Sequence, residues 1–105
     1  MSQEQMKGYT RLLYAIFGET PNWDNTQVAS IELIGQLNSV LATLSHNEEK
    51  FIKRRFGIED GEPQLLADLA AFLEKSVEDT GVFEAEVMRK LRHPSRSQPL
   101  RDFLE

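Results

Sequence analysis

From Leu65 to Leu91 the chain contains no proline and a single glycine, Gly81. Proline and glycine are the strongest interrupters of a helix, so a stretch of this length without them is helical. The apolar spacing agrees. Leu65, Leu66, Leu69, Phe72 and Leu73 share one helical face, and Phe83, Val87, Met88 and Leu91 share another. Between the two sets, Ser76-Val77-Glu78-Asp79 has the form of a capping box, which predicts that a new helix starts at Val77. A second reading stays open here. Leu69, Phe72, Ser76 and Thr80 keep helical spacing across the cap, which fits one long helix over 64–80 bent near Gly81. A glycine inside a helix costs only about 1 kcal/mol relative to alanine.

The rest of the chain extends the same pattern. Met6, Tyr9, Leu13, Ile16 and Phe17 predict a first helix that stops at Gly18. Residues 18–26 (GETPNWDNT) are turn-rich, and Asp24 or Thr26 could cap the helix that follows. That helix carries Val28, Ile31, Leu33, Leu37, Val40, Leu41 and Leu44. Ser45-His46-Asn47-Glu48 is a capping box, and it predicts a third helix with Phe51, Ile52 and Phe56 inward and Gly57 as its C-cap. Residues 59–63 read as a loop. No alternating run predicts a strand. The fold class expected is all-α, a small helical bundle, with residues 1–43 as an N-terminal helical hairpin and 44–105 as a second region packed with it.

A chain of 105 residues builds one modest core. It has no cysteine, which excludes disulfides and thiolate metal sites and fits a reducing cytoplasm. No apolar run reaches membrane-spanning length, so no membrane contact is expected. The net charge of -5 is unevenly spread. Residues 46–58 and 87–105 are each net positive, whereas residues 59–86 carry nine acids against Lys75 alone.

Little here resembles catalysis. His46 and His93 lie in different basic segments, not in a cluster of metal ligands. Glu48-Glu49 and Glu78-Asp79 fit helix starts that complement the helix dipole. There is no glycine-rich phosphate loop, and Gly57 and Gly61 fit turns. No catalytic residue, metal ligand or cofactor is expected, and an enzyme is not. Trp23, in the loop after the first helix, is either a core ring or a partner anchor.

Several motifs fall together at a familiar spacing. Leu44 to Gly57 (LSHNEEKFIKRRFG) ends in Arg-Phe-Gly. Ile58 to Pro63 holds Asp60-Gly61 and Pro63. Met88 to Ser97 (MRKLRHPSRS) is a basic run broken by Pro94, and Leu100 to Glu105 follows it. Over 44–105 the chain resembles the C-terminal promoter-recognition domain, region four, of the primary bacterial RNA polymerase sigma factor family. The resemblance implies a helix-turn-helix whose second helix enters the major groove of the upstream (minus thirty-five) promoter element. It also implies docking on the flap of the polymerase beta subunit. The DNA-contact candidates carried over are Arg54, Arg55, Glu78, Arg89, Lys90, Arg92 and Arg96. The partner-contact candidates are Phe51, Phe56 and Trp23.

The departures from the family cluster in the reading helix. Its usual Gly-Val-Thr-Arg-Glu-Arg-Ile-Arg-Gln is here Glu74 to Val82 (EKSVEDTGV). The three arginine columns hold Val77, Asp79 and Gly81, and the glutamine column holds Val82. Glu62, Gln64 and Glu86 fill other usually basic columns. One good base contact is worth about 1–3 kcal/mol of discrimination, and specific binding exceeds non-specific by about 4–10 kcal/mol. Losing several donors removes most of that gap, and Asp79 adds repulsion.

Two functions follow as expectations. One is a sigma-like transcription initiation protein acting on RNA polymerase, promoter DNA or both. The other is a protein-interaction module (accessory, regulator or decoy) that keeps the fold but has lost sequence-specific DNA binding. In the family, the promoter-melting and clamp-binding segments precede this domain, and residues 1–43 cannot hold them. The chain is therefore not expected to be a full sigma factor by itself.

Overall fold

The computed structural model describes residues 3–18, 27–59 and 61–102. They form six helices in the order α1 (Gln3–Phe17), α2 (Gln27–Leu41), α3 (His46–Phe56), α4 (Leu66–Leu73), α5 (Val77–Arg92) and α6 (Pro94–Arg101). No strand occurs among the described residues. The all-α bundle expected from the spacing is the fold observed. Asp24 and Thr26, the two candidate caps before α2, lie outside the described residues, as does Trp23.

Local chemistry sets the helix ends. Ser45 Oγ accepts from the Glu48 N–H at 3.2 Å, and Glu48 Oε1 accepts from the Ser45 N–H at 3.0 Å, completing the capping box of α3. Gly57 ends α3 in the left-handed region at φ 70°, where glycine carries no Cβ penalty. Nor could a Cβ fit there: it would lie 2.8 Å from the Glu62 carbonyl carbon.

The single long helix over 64–80 is not formed. α4 stops at Leu73, Glu74 turns left-handed at φ 56°, and the Lys75 N–H returns to the Ala70 carbonyl at 3.0 Å. Ser76 then caps α5, its Oγ accepting from the Asp79 N–H at 3.0 Å. Helical spacing of apolar residues alone missed this break, because it ignores the N-cap preference of Ser76. Only half of the second capping box forms, with Ser76 Oγ accepting and no return bond from the Asp79 carboxylate. An aspartate is one methylene shorter than the glutamate or glutamine that usually reaches back.

Pro94 ends α5 and also begins α6. It occupies the first turn of α6, where a missing N–H costs nothing. His93 caps that turn, with Nδ1 accepting from the Ser95 N–H at 3.1 Å. Leu44 falls just past the end of α2 but is buried all the same.

One apolar core joins all six helices. α1 packs on α3 and α5, α2 on α6, and α5 on α4 and α6. Leu12, Leu37, Phe51, Leu69, Leu91 and Leu100, one from each helix, have essentially no exposed surface. Gly8 lets α1 press against the end of α3: a Cβ there would sit 2.6 Å from the Gly57 carbonyl oxygen. Arg11 Nη1 seals the same junction by donating to the Phe56 carbonyl at 2.9 Å.

Candidate nucleic-acid and protein interface

α4 and α5, joined by the three-residue turn Glu74-Lys75-Ser76, present the N-terminal half of α5 to solvent. The turn works because the Leu69 side of α4 and the Val87 side of α5 bury into the common core. Thr80, fully buried, hides its hydroxyl by donating to the Ser76 carbonyl at 2.8 Å. The outward stripe is therefore set by helical geometry: Val77, Glu78, Gly81, Val82, Ala85, Glu86 and Arg89. Val77 is 51% exposed and Val82 58%. From Val77 to Glu86 the stripe contains no basic residue.

Most of the arginine and lysine candidates are held by the protein itself. The Arg54 guanidinium lies 4.3 Å from the centre of the Phe72 ring. Arg55 Nε donates to Glu84 Oε2 at 2.6 Å, and its Nη1 donates to the Gln64 carbonyl at 2.8 Å. These bonds tie α3 to α5 and to the segment before α4. Lys90 Nζ donates to Glu48 Oε2 at 2.6 Å. That bond is the main reason the Glu48 carboxyl lies below its ordinary range, with burial opposing it. Arg92 donates to the Ala15 carbonyl at 2.9 Å, and Arg96 Nε to Thr43 Oγ1 at 3.0 Å. Arg89 is exposed and makes no ion pair or hydrogen bond among the described residues. Glu78 is exposed in the first turn of α5.

The apolar candidates divide. Phe51 is 0% exposed, and its ring meets the Phe83 ring edge-on at 5.1 Å. A phenylalanine at helical spacing on the inner face belongs to the core, and truncating one costs about 3–5 kcal/mol. Phe56 is half-buried against the same core.

A feature without a signal in the motifs lies beside the exposed stripe. Lys75, Asp79, Val82, Phe83 and Glu86 line an open cleft of about 290 Å³. Lys75 Nζ stands over the Phe83 ring, 4.8 Å from its centre. The available clue was Val82 standing among acids on a predicted solvent face. Among the described residues no cluster of side chains could hold a metal ion, and no helix is long and apolar enough to cross a membrane.

The fold is thus a small all-α bundle in which α4 and α5 form a helix pair joined by a three-residue turn. The chain is 44% identical over 78 residues to RNA polymerase sigma factor SigA of Listeria monocytogenes serovar 1/2a, covering 73% of this chain and 21% of that protein. It matches SigA of Listeria innocua serovar 6a and of a Bacillus species to the same extent. No protein-family model matches. The likeness to primary sigma factors is therefore shown over most of the chain, and the chain spans about a fifth of the length of these relatives. The matched stretch is longer than residues 44–105, so the likeness also extends upstream of Leu44. That corrects the narrower reach read from the motifs.

Proposed function

We propose that this chain is a sigma-like, non-enzymatic protein of transcription initiation that binds RNA polymerase by protein contact and no longer reads the upstream promoter element. The relatives' names supply the polymerase. The observation that carries the loss of DNA reading is the outward stripe of α5: Val77, Glu78, Val82 and Glu86, with Asp79 beside it. A reading helix needs donors aimed at base edges and cations near phosphates. This one offers carboxylates and methyl groups.

The basic residues that remain do not replace the lost donors. Arg54, Arg55, Lys90, Arg92 and Arg96 are engaged within the protein. Freeing an arginine held by a half-buried carboxylate costs energy that DNA contact must first recover. Of the basic candidates, Arg89 has no ion pair or hydrogen bond among the described residues, and it lies at the far end of α5 from the acidic turn.

On this reading the polymerase contact, the beta-subunit flap in the family, uses the packed frame and not the face of α5. The sigma-like unit includes α2, whose Leu33, Leu37 and Leu41 share the core with Leu100. A cytoplasmic location follows from the same role. The test is titration of duplex carrying a minus thirty-five element into labelled protein at moderate salt, beside purified core RNA polymerase. Saturable binding to polymerase and none to duplex are expected. Sequence-specific duplex binding that falls steeply with salt would restore the DNA-reading function.

A further inference from the structure

The cleft beside α5 and the stripe next to it share one chemistry. Val82 and Phe83 line the cleft with Asp79, Glu86 and Lys75. Those two acids are seven positions apart on one helix, about 10 Å along its axis. Neither is in an ion pair among the described residues. Beside the cleft, Val77, Gly81 and Ala85 recur at every fourth position, small and outward, with nothing within 4 Å of a Cβ built at Gly81. A helix can lie close along such a column. Its long cationic side chains would place their stems on Val82 and Phe83 and their charged heads between the carboxylates.

We infer that the α5 face docks a cationic amphipathic helix of a protein partner, with one arginine or lysine entering the cleft between Asp79 and Glu86. Charge complementarity sets the occupant's sign: over residues 77–86 the face carries Glu78, Asp79 and Glu86 and no cation, while Lys75 before them turns its ammonium onto the Phe83 ring and Arg89 lies past Glu86 at the far end of the stripe. The exposed Val77 and Val82 fix its amphipathic character, since a purely ionic partner would leave them wet. Nucleic acid is disfavoured by the same charges. This inference rests on the interaction-module reading above, and it adds to the polymerase contact on the packed frame a second contact, on the helix that would otherwise read DNA.

The test is titration of the full chain, amide-labelled for NMR, with a synthetic peptide of about four helical turns built from arginine and leucine at amphipathic spacing. A peptide with serine in place of leucine tests charge alone. The expected result is that amide shifts centre on residues 77–86 and that the serine peptide binds at least about tenfold more weakly. Asp79→Asn with Glu86→Gln, both at exposed positions, should weaken the leucine peptide by about tenfold or more. Shifts centred elsewhere, equal binding of the two peptides, or an unaffected double variant would overturn the inference. Core polymerase binding, measured on the same samples, separates the two claims. Polymerase retention without a peptide effect on α5 removes the docking face alone. Peptide docking without polymerase binding removes the polymerase reading alone.

Discussion

Lys90 Nζ donates to Glu48 Oε2 at 2.6 Å, joining the basic run of α5 to the residue that completes the capping box of α3. One carboxylate thus serves two junctions, the start of a helix and the packing of two helices. It also engages within the protein the Lys90 ammonium, which the sequence offers as a DNA-contact candidate.

Glu48 gives the stability a defined acid limb. Its folded carboxyl lies below the ordinary 4.5, chiefly through the bond from Lys90. The contribution is complete above the unfolded value and is lost as the pH falls through the folded one. Glu48→Gln keeps an acceptor for the cap but removes the charge pair. Because Lys90 is about half exposed, solvent screens the pair, and a loss of about 0.5–1 kcal/mol is expected at neutral pH. Urea unfolding at neutral and acid pH checks this: the variant should lose less stability than the native chain as the solution becomes acidic.

Glu74 is the non-glycine residue with positive φ among the described residues, at φ 56°. A Cβ in the left-handed region costs about 1 kcal/mol or more. Glu74→Gly should therefore stabilise the protein by about 0.5–1 kcal/mol in urea unfolding, after the added freedom of the unfolded chain is subtracted. A destabilised variant would mean that the turn is not held as described.

Two helical glycines separate close approach from open space. At Gly8 a Cβ would meet the Gly57 carbonyl oxygen at 2.6 Å and Ile58 Cα at 2.8 Å, both backbone atoms that cannot step aside. Gly8→Ala should cost about 1–3 kcal/mol. At Gly35 nothing lies within 4 Å, and Gly35→Ala should stabilise by about 0.5–1 kcal/mol through helix propensity. Thermal unfolding of the pair should move the midpoint in opposite directions.

How much of this was legible in the residues depends on the kind of signal. Ser45 with Glu48, and Gly57 after Phe56, announce helix ends through short-range chemistry, and both ends fall where that chemistry puts them. Ser76 announced the α5 start equally well, while the apolar spacing across it suggested continuity; the local cap decided. Pro94 is ambiguous by nature, since proline both stops a helix and suits the first turn of the next, so α6 was not foreseen. The Arg55–Glu84 pair spans 29 positions, and no local pattern reveals a contact of that range. Phe51 and Phe56 share one helical face, and only the packing shows that the first is sealed and the second half-buried.

The electrostatic account of α5 makes a gain-of-function prediction. Asp79→Arg with Gly81→Arg restores two cations on the outward face, and Gly81 has room for the side chain. Duplex affinity should rise by at least about tenfold at low salt, with a steeper salt dependence. Fluorescence anisotropy with labelled duplex measures it. An unchanged affinity would mean that the acidic face is not what keeps the chain off DNA.

The most direct test of the central claim is retention of tagged protein on core RNA polymerase from a bacterial lysate at moderate salt, after nuclease has removed bridging DNA. Retention undiminished by nuclease is the predicted result, because the contact is between proteins. Absence of polymerase, or loss of it when DNA is digested, would contradict the claim.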